Sequence, residues 1–219
     1  GSRGLEEVGC AERVDGEFRA SAAGRTALDA FDCYADATDG VVEAACLLTH
    51  LPPDVRLPPR VLPGADVQTA DDHAPEQVVT PVARAARTAD RVQATAPVLY
   101  SRYLDTLVTI VERGVEFEAV VARPVVETAR DFDPDKVDRL ERSDNYDSYI
   151  TEADLPYAVI LTESADETTV GVVVYDGGAP RGVLVNDADA AVEWAREHYR
   201  TVRDEAEPVD SGDLRGQPR

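Results

Sequence analysis

The sequence predicts an α/β layered domain preceded by a short helix–hairpin–helix segment. Three observations carry this. Apolar residues recur with alternating strand and helix spacing over most of the chain. An Asp-Gly pair sits between two strand-like runs near the start. A Pro-rich stretch, LPPDVRLPPRVLPG at 51–64, separates that start from the rest.

From the N-terminus, Leu5–Val8 reads as the end of a helix closed by Gly9. Two strands follow, Ala11–Val14 and Glu17–Ala20, joined by Asp15-Gly16. Ser21 is placed to cap the next helix, which carries Ala23, Ala27, Ala30, Phe31 and Tyr34 on adjoining faces. Helical character continues to about Leu51, with a break expected near Gly40, and Val41, Val42, Ala45 and Leu48 extend the apolar stripe. Pro then forces an extended connection.

The remainder alternates. Strands are expected at Ala65–Thr69, Arg91–Ala94, Val115–Val121, Asp147–Thr151 and Tyr157–Thr162, and a hairpin joins Thr169–Tyr175 to Arg181–Val185 across Asp176-Gly177-Gly178. Helices are expected at Ala74–Arg87, at Leu99–Arg113 and at Ala188–Asp204, the last capped by Asp187, with irregular helical material at 124–142. The helix at 99–113 is the clearest, because Leu104, Leu107, Val108 and Val111 fall at i, i+3, i+4 and i+7. The resulting division is 1–35 as the closing part of one domain, 36–204 as the α/β domain and 205–219 as a disordered polar tail.

The chain has 219 residues and a formal net charge of −21, with 43 acidic residues against 22 basic ones. Lys136 is the only Lys, so the basic residues are almost all Arg. Such a carboxylate surface suits molar salt, where the Debye length is about 3 Å and self-repulsion is screened. Cys10, Cys33 and Cys46 are odd in number and lack C-x-x-C spacing, so they read as small buried residues in a reducing cytoplasm. No basic run precedes an apolar stretch, so no secretory signal is expected, and no apolar run is long enough to span a membrane as a helix. The chain contains no Met and begins without one, which reads as a fragment of a longer protein.

No Gly-rich phosphate loop, H-E-x-x-H or G-x-S-x-G is present. The best ligand-site candidate is the run Thr95–Tyr103, between a strand end and a helix N-terminus. Thr95 offers a hydroxyl, Tyr100 and Tyr103 offer flat walls, and Arg102 offers a fork for carboxylate or phosphate. Tyr157, after Leu155-Pro156, is a further candidate for the same cavity. Asp71 and Asp72 beside His73 read as a helix entrance rather than a metal site. In the hairpin, Arg13 and Arg19 flank the turn and Arg25 opens the next helix, positions suited to nucleic-acid contact. Neither metal nor cofactor is expected.

The stretch EEVGCAERVDGEFRASAAGR resembles the closing run of a winged helix-turn-helix domain. The segments VVEAACLLTHLPPDVRLPPRVLPGADVQTADDHAPE, DRVQATAPVLYSRYLDTL and VGVVVYDGGAPRGVLVNDADAAVEWA resemble, in order and length, archaeal transcription factors of the methanogenesis-regulator type, which are abundant in halophiles. That resemblance spans residues 5–204 and implies a winged-helix head, most of whose first helices lie outside this chain, joined to a C-terminal sensor domain. The order around RGVEFEAVV also resembles the phospholipase-D-like sensor domains of sugar-responsive archaeal regulators. Enzymes of that fold use His and Lys two residues apart. Here His50, His73 and His198 are followed by Pro52, Pro75 and Arg200. The resulting expectation is a cytoplasmic homodimeric regulator that binds DNA and a small, anionic effector and is not an enzyme. The rival readings are a dimerisation module without ligand and a small hydrolase-like enzyme on the same scaffold.

Overall fold

A computed structural model describes residues 2–71 and 73–209. The chain opens with α1 (Ser2–Glu7), β1 (Ala11–Val14), β2 (Glu17–Ala20) and the long α2 (Ala22–Glu43). Gly9 ends α1 at φ 74°, and Asp15 and Gly16 take φ 54° and 87°, the double left-handed turn that matches strand twist. Ser21 holds this unit together, since its Oγ accepts from Gly24 N at 3.0 Å and donates to Gly9 O at 2.6 Å.

The helix α2 does not break at Gly40. It runs on to Glu43 and ends at Ala44. Gly40 is there for close approach: a Cβ at this position would lie 2.8 Å from the Leu62 Cβ. After α3 (Ala45–Leu48) the Pro-rich segment crosses to a 3-10 turn at Pro59–Val61.

An eight-stranded sheet forms the body. Its strands are β3 (Asp66–Thr69), β4 (Arg91–Ala96), β5 (Glu116–Ala122), β6 (Tyr146–Thr151), β7 (Tyr157–Glu163), β8 (Thr168–Asp176), β9 (Ala179–Asn186) and β10 (Glu207–Pro208). The order is β10-β6-β5-β4-β7-β8-β9-β3, with β4, β5 and β6 parallel and the other pairs antiparallel. Parallel pairing requires crossovers, and helices supply them: α5 (Ser101–Glu112) between β4 and β5, then α6 (Arg123–Phe132) and α7 (Pro134–Glu141) between β5 and β6. The material at 124–142 is therefore two regular helices. Asp133 separates them and caps α7 by accepting from Lys136 N at 3.1 Å.

These helices pack with α4 (Thr80–Thr88) on one sheet face, while α8 (Asp189–Asp204) and the Pro-rich segment cover the other. Two-sided cover explains why β7 and β8 read as near-continuous apolar runs, YAVIL and VGVVV, rather than as alternation. Val159, Leu161, Val170, Val172 and Val174 are buried beneath α8, and Ala158 and Val173 on the opposite face beneath the turn leading into α4.

Three expectations change. The cysteines are not core residues: Cys33 and Cys46 are exposed and Cys10 is half-buried. Asp187 does not cap α8. The N-cap is Ala188 and no side chain caps the helix; Asn186 instead closes the turn before it, its Oδ1 accepting from Ala188 N at 2.9 Å while its Nδ2 donates to Val61 O at 2.8 Å and Pro63 O at 3.0 Å. At the other end of the chain, Glu207 and Pro208 pair with Ile150 and Tyr149 as an edge strand, where Pro is tolerated. The first residues of the expected disordered tail are thus ordered, and 210–219 lie outside the described residues, as does Asp72. Asp71 accepts from His73 N at 2.8 Å, a local turn contact.

Candidate functional site

Between the sheet and α4–α7 lies a cavity of about 400 Å³. Its floor is made by β4, β5, β7 and β8, through residues such as Val92, Phe117, Ile160 and Val173. Its walls come from Val82 on α4, Leu107 on α5, Val125 on α6 and Leu140 on α7. The volume falls within the roughly 300–1,000 Å³ typical of small-molecule sites.

Polar groups along this wall are few, and most are paired within the protein. The Arg130 guanidinium pairs with Glu141 where both are largely buried. Tyr146 is pushed up to about 12 by burial and interacts with the Ser148 hydroxyl. The Thr106 hydroxyl bonds back to Arg102 O at 3.0 Å.

The residues expected at the site divide. Tyr103 borders the cavity, and its hydroxyl is buried with no partner in hydrogen-bond geometry. Tyr175, on β8, lies beside it, and the two phenols interact. Burial first, then the neighbouring Tyr100 and the Glu76 carboxylate, push Tyr103 up to about 12. Tyr100 stands at the head of α5, packs edge-on against Tyr103 with ring centroids 5.1 Å apart, and donates to Gly178 O. It thereby ties the loop after β4 to the β8–β9 turn.

Arg102 also borders the cavity, but its Nη1 lies 3.0 Å from Glu76 Oε2. The fork expected to hold an anion already holds a carboxylate of the same chain. Thr95 is fully buried and belongs to the cavity lining, although strand alternation turns its side chain with that of Gln93 toward α8. There its Oγ1 accepts from Val159 N at 3.0 Å. Tyr157 does not reach the cavity at all. It lies on the α8 face against Trp194 and His198, whose rings stack at 5.3 Å. Burial lowers His198 from its ordinary value.

The lining residues that sequence reasoning missed, Tyr175, Tyr146 and Phe117 among them, come from strands and belong together only through pairing. The one available signal was an aromatic residue at an inward position of three different strands.

In the hairpin, Arg13 pairs in register with Phe18 and stacks on its ring at 4.6 Å, whereas Arg19 pairs with Glu12. Adjacent pairs face opposite sides of a ribbon, so Arg13 and Arg19 point apart. Arg25 donates to Ala20 O at 2.9 Å. The structure does not bring the three together.

A mixed sheet with helices on both faces and an apolar chamber on one side defines a layered α/β domain. The family described as the methanogenesis regulatory protein FilR1 middle domain matches residues 75–205, more than half of the chain, and the chain belongs to that family. Among curated proteins none matches by sequence. Among solved structures, the chain is similar to TrmBL2, an archaeal chromatin protein with a novel mode of DNA binding, at 12% identity and TM-score 0.52, covering 94% of this chain and 80% of that one. It is similar to NucT from Helicobacter pylori at 9% identity and TM-score 0.50, over 66% of this chain and 98% of that one. A phospholipase D family member, Nuc from Salmonella typhimurium, aligns at 16% identity and TM-score 0.49, over 67% and 99%.

This likeness corrects the flat expectation that the chain is not an enzyme. The fold is similar to that of NucT, and the missing H-x-K spacing bears on one kind of chemistry only.

Proposed function

We propose that this chain is the effector-binding and dimerising part of a DNA-binding transcription regulator in the cytoplasm of a salt-adapted cell. The observation that carries the reading is the roughly 400 Å³ chamber in a domain of a regulatory-protein family. The DNA-binding character of TrmBL2, whose structure this chain follows over most of its length, supports it by analogy. The wing-like hairpin of β1 and β2, with Arg13 or Arg19 on one of its faces, together with Arg25, would contact phosphates.

The helix α2 would join two copies. Leu28, Phe31, Ala35, Thr38 and Val42 fall three and four residues apart, the repeat of a coiled-coil seam. Leu28, Phe31 and Val42 are 54%, 63% and 69% exposed. Gly40, on the opposite side of the helix, is the residue seated against Leu62, so the seam faces outward. The flanking positions favour a parallel pair. An antiparallel one would set the acidic positions Asp32 and Asp39 against each other, whereas a parallel one sets Asp32 against Ala27 and Asp39 against Tyr34. Parallel helices would also carry both hairpins to the same end, as a two-fold DNA site needs. Light scattering in molar KCl tests this: the chain should run as a dimer, and a Leu28→Glu/Val42→Glu variant as a folded monomer. A wild-type monomer at micromolar concentration would defeat the dimer.

A further inference from the structure

We propose that the chamber takes a neutral, mainly apolar small molecule with one hydrogen-bond acceptor, held by the Tyr103 hydroxyl. This rests on the reading of the chamber as an effector site and adds the chemical class of the effector.

The polar groups that reach the cavity determine which ligand it can hold. Each charge with a buried share is neutralised within the chain: Arg102 by Glu76, and Glu141 by Arg130. Arg84 and Arg87 also border it, but from the exposed side of α4, where water rather than a buried ligand meets them. An anionic ligand would therefore have to break an existing ion pair or leave its charge uncompensated in an apolar chamber, and a buried unpaired charge is strongly disfavoured. Of the interior hydroxyls, that of Thr95 is used by Val159 N, that of Thr106 by Arg102 O, and that of Tyr146 interacts with Ser148.

Tyr103 and Tyr175 are different. Two adjacent phenols carry two protons, and at most one of these can be used between them, so one O–H donor remains. Among the described residues three buried side-chain atoms lack a hydrogen-bond partner, Tyr103 Oη, Arg130 Nε and Arg181 Nε, and of these residues only Tyr103 lines the cavity. Its raised pKa keeps it protonated, so it donates and does not act as an anion. A ketone, ester or ether oxygen is the complement of that donor, and the apolar body of the ligand complements the rest of the wall.

The test uses the whole chain in molar KCl with Nile red as the reporter and two competitors of equal length, 2-decanone and decanoate. 2-Decanone should displace the dye, and decanoate should do so more weakly. Tyr103→Phe should reduce 2-decanone affinity by roughly 2- to 10-fold, the worth of one hydrogen bond. Its melting temperature should change little, because the hydroxyl it removes meets only the neighbouring Tyr175 phenol; a residue with a purely structural role would show a clear loss. Leu107→Trp, which fills the chamber from α5, should abolish displacement in a folded protein. Tighter binding of decanoate, an unaffected Tyr103→Phe variant, or no displacement by either compound would overturn the proposal. DNA affinity that responds to decanoate but not to 2-decanone would overturn the ligand class while supporting the regulator reading. Binding as described with unresponsive DNA affinity would support the class and count against the regulator reading.

Discussion

Arg102 and Glu76 are 3.0 Å apart and join the head of α5 to the 3-10 turn, Pro75–Val79, that leads into α4. This pair decides the electrostatic character of the chamber mouth. Both side chains are close to half exposed, so its contribution to stability is about 0–1 kcal/mol. Arg102→Ala should therefore lower the melting temperature little and leave 2-decanone binding intact. Glu76→Gln should have the opposite kind of effect. It frees the guanidinium, and decanoate affinity should rise severalfold over the wild type. Equal decanoate binding in the two proteins would show that Glu76 does not screen the site.

Asn186 makes the most demanding polar contacts in the core. It is 3% exposed and serves two carbonyls of the Pro-rich segment and one N–H of α8. Asn186→Ala strands these buried groups, and each costs about 1–3 kcal/mol when unsatisfied. The expected loss is about 2–4 kcal/mol in a chemical denaturation curve in molar KCl. Asp187→Ala should cost little, because its side chain is not the cap.

Two groups set opposite limits on pH. His198 is lowered from 6.5 by burial, so the unfolded chain binds the extra proton. Stability should fall as pH drops through the ordinary histidine range, and His198→Gln should flatten that slope. Tyr103 is raised from 10.0 to about 12, so the folded chain keeps the proton that the unfolded chain loses. That contribution is complete below pH about 10 and is lost between about 10 and 12. Melting temperatures across the two ranges check both signs; stability that rises on acidification would contradict the first.

Salt should matter more than any single substitution. With a net charge of −21, the chain should lose helical circular dichroism as KCl falls from molar levels to about 0.1 M, where the Debye length reaches about 10 Å. Full ellipticity in dilute buffer would mean that the acidity has another cause.

Local signals were the legible part of this molecule. The leucine and valine spacing of α5, the Asp15-Gly16 turn and the Ser21 cap each depend on residues a few positions apart. Pairings distant in sequence were not legible. Arg102 could be read as a free fork only because Glu76 is 26 residues away. The side of the sheet that Tyr157 takes is not legible, because β7 is apolar on both sides and a strand without alternation does not show which face a residue takes. Gly40 was read as a helix breaker, although its role depends on Leu62 in a separate segment. The edge pairing of Glu207 and Pro208 leaves no pattern in two residues.

The account stands on coupling between the chamber and DNA. The direct measurement is the affinity of the complete, winged-helix-bearing protein for a DNA fragment it selects from a random pool, by fluorescence anisotropy in molar KCl, with and without saturating 2-decanone. A change of at least about 5-fold, the lower end of usual allosteric coupling, is expected in the wild type, and none in Leu107→Trp. Identical DNA affinity with the chamber empty and filled would contradict the account.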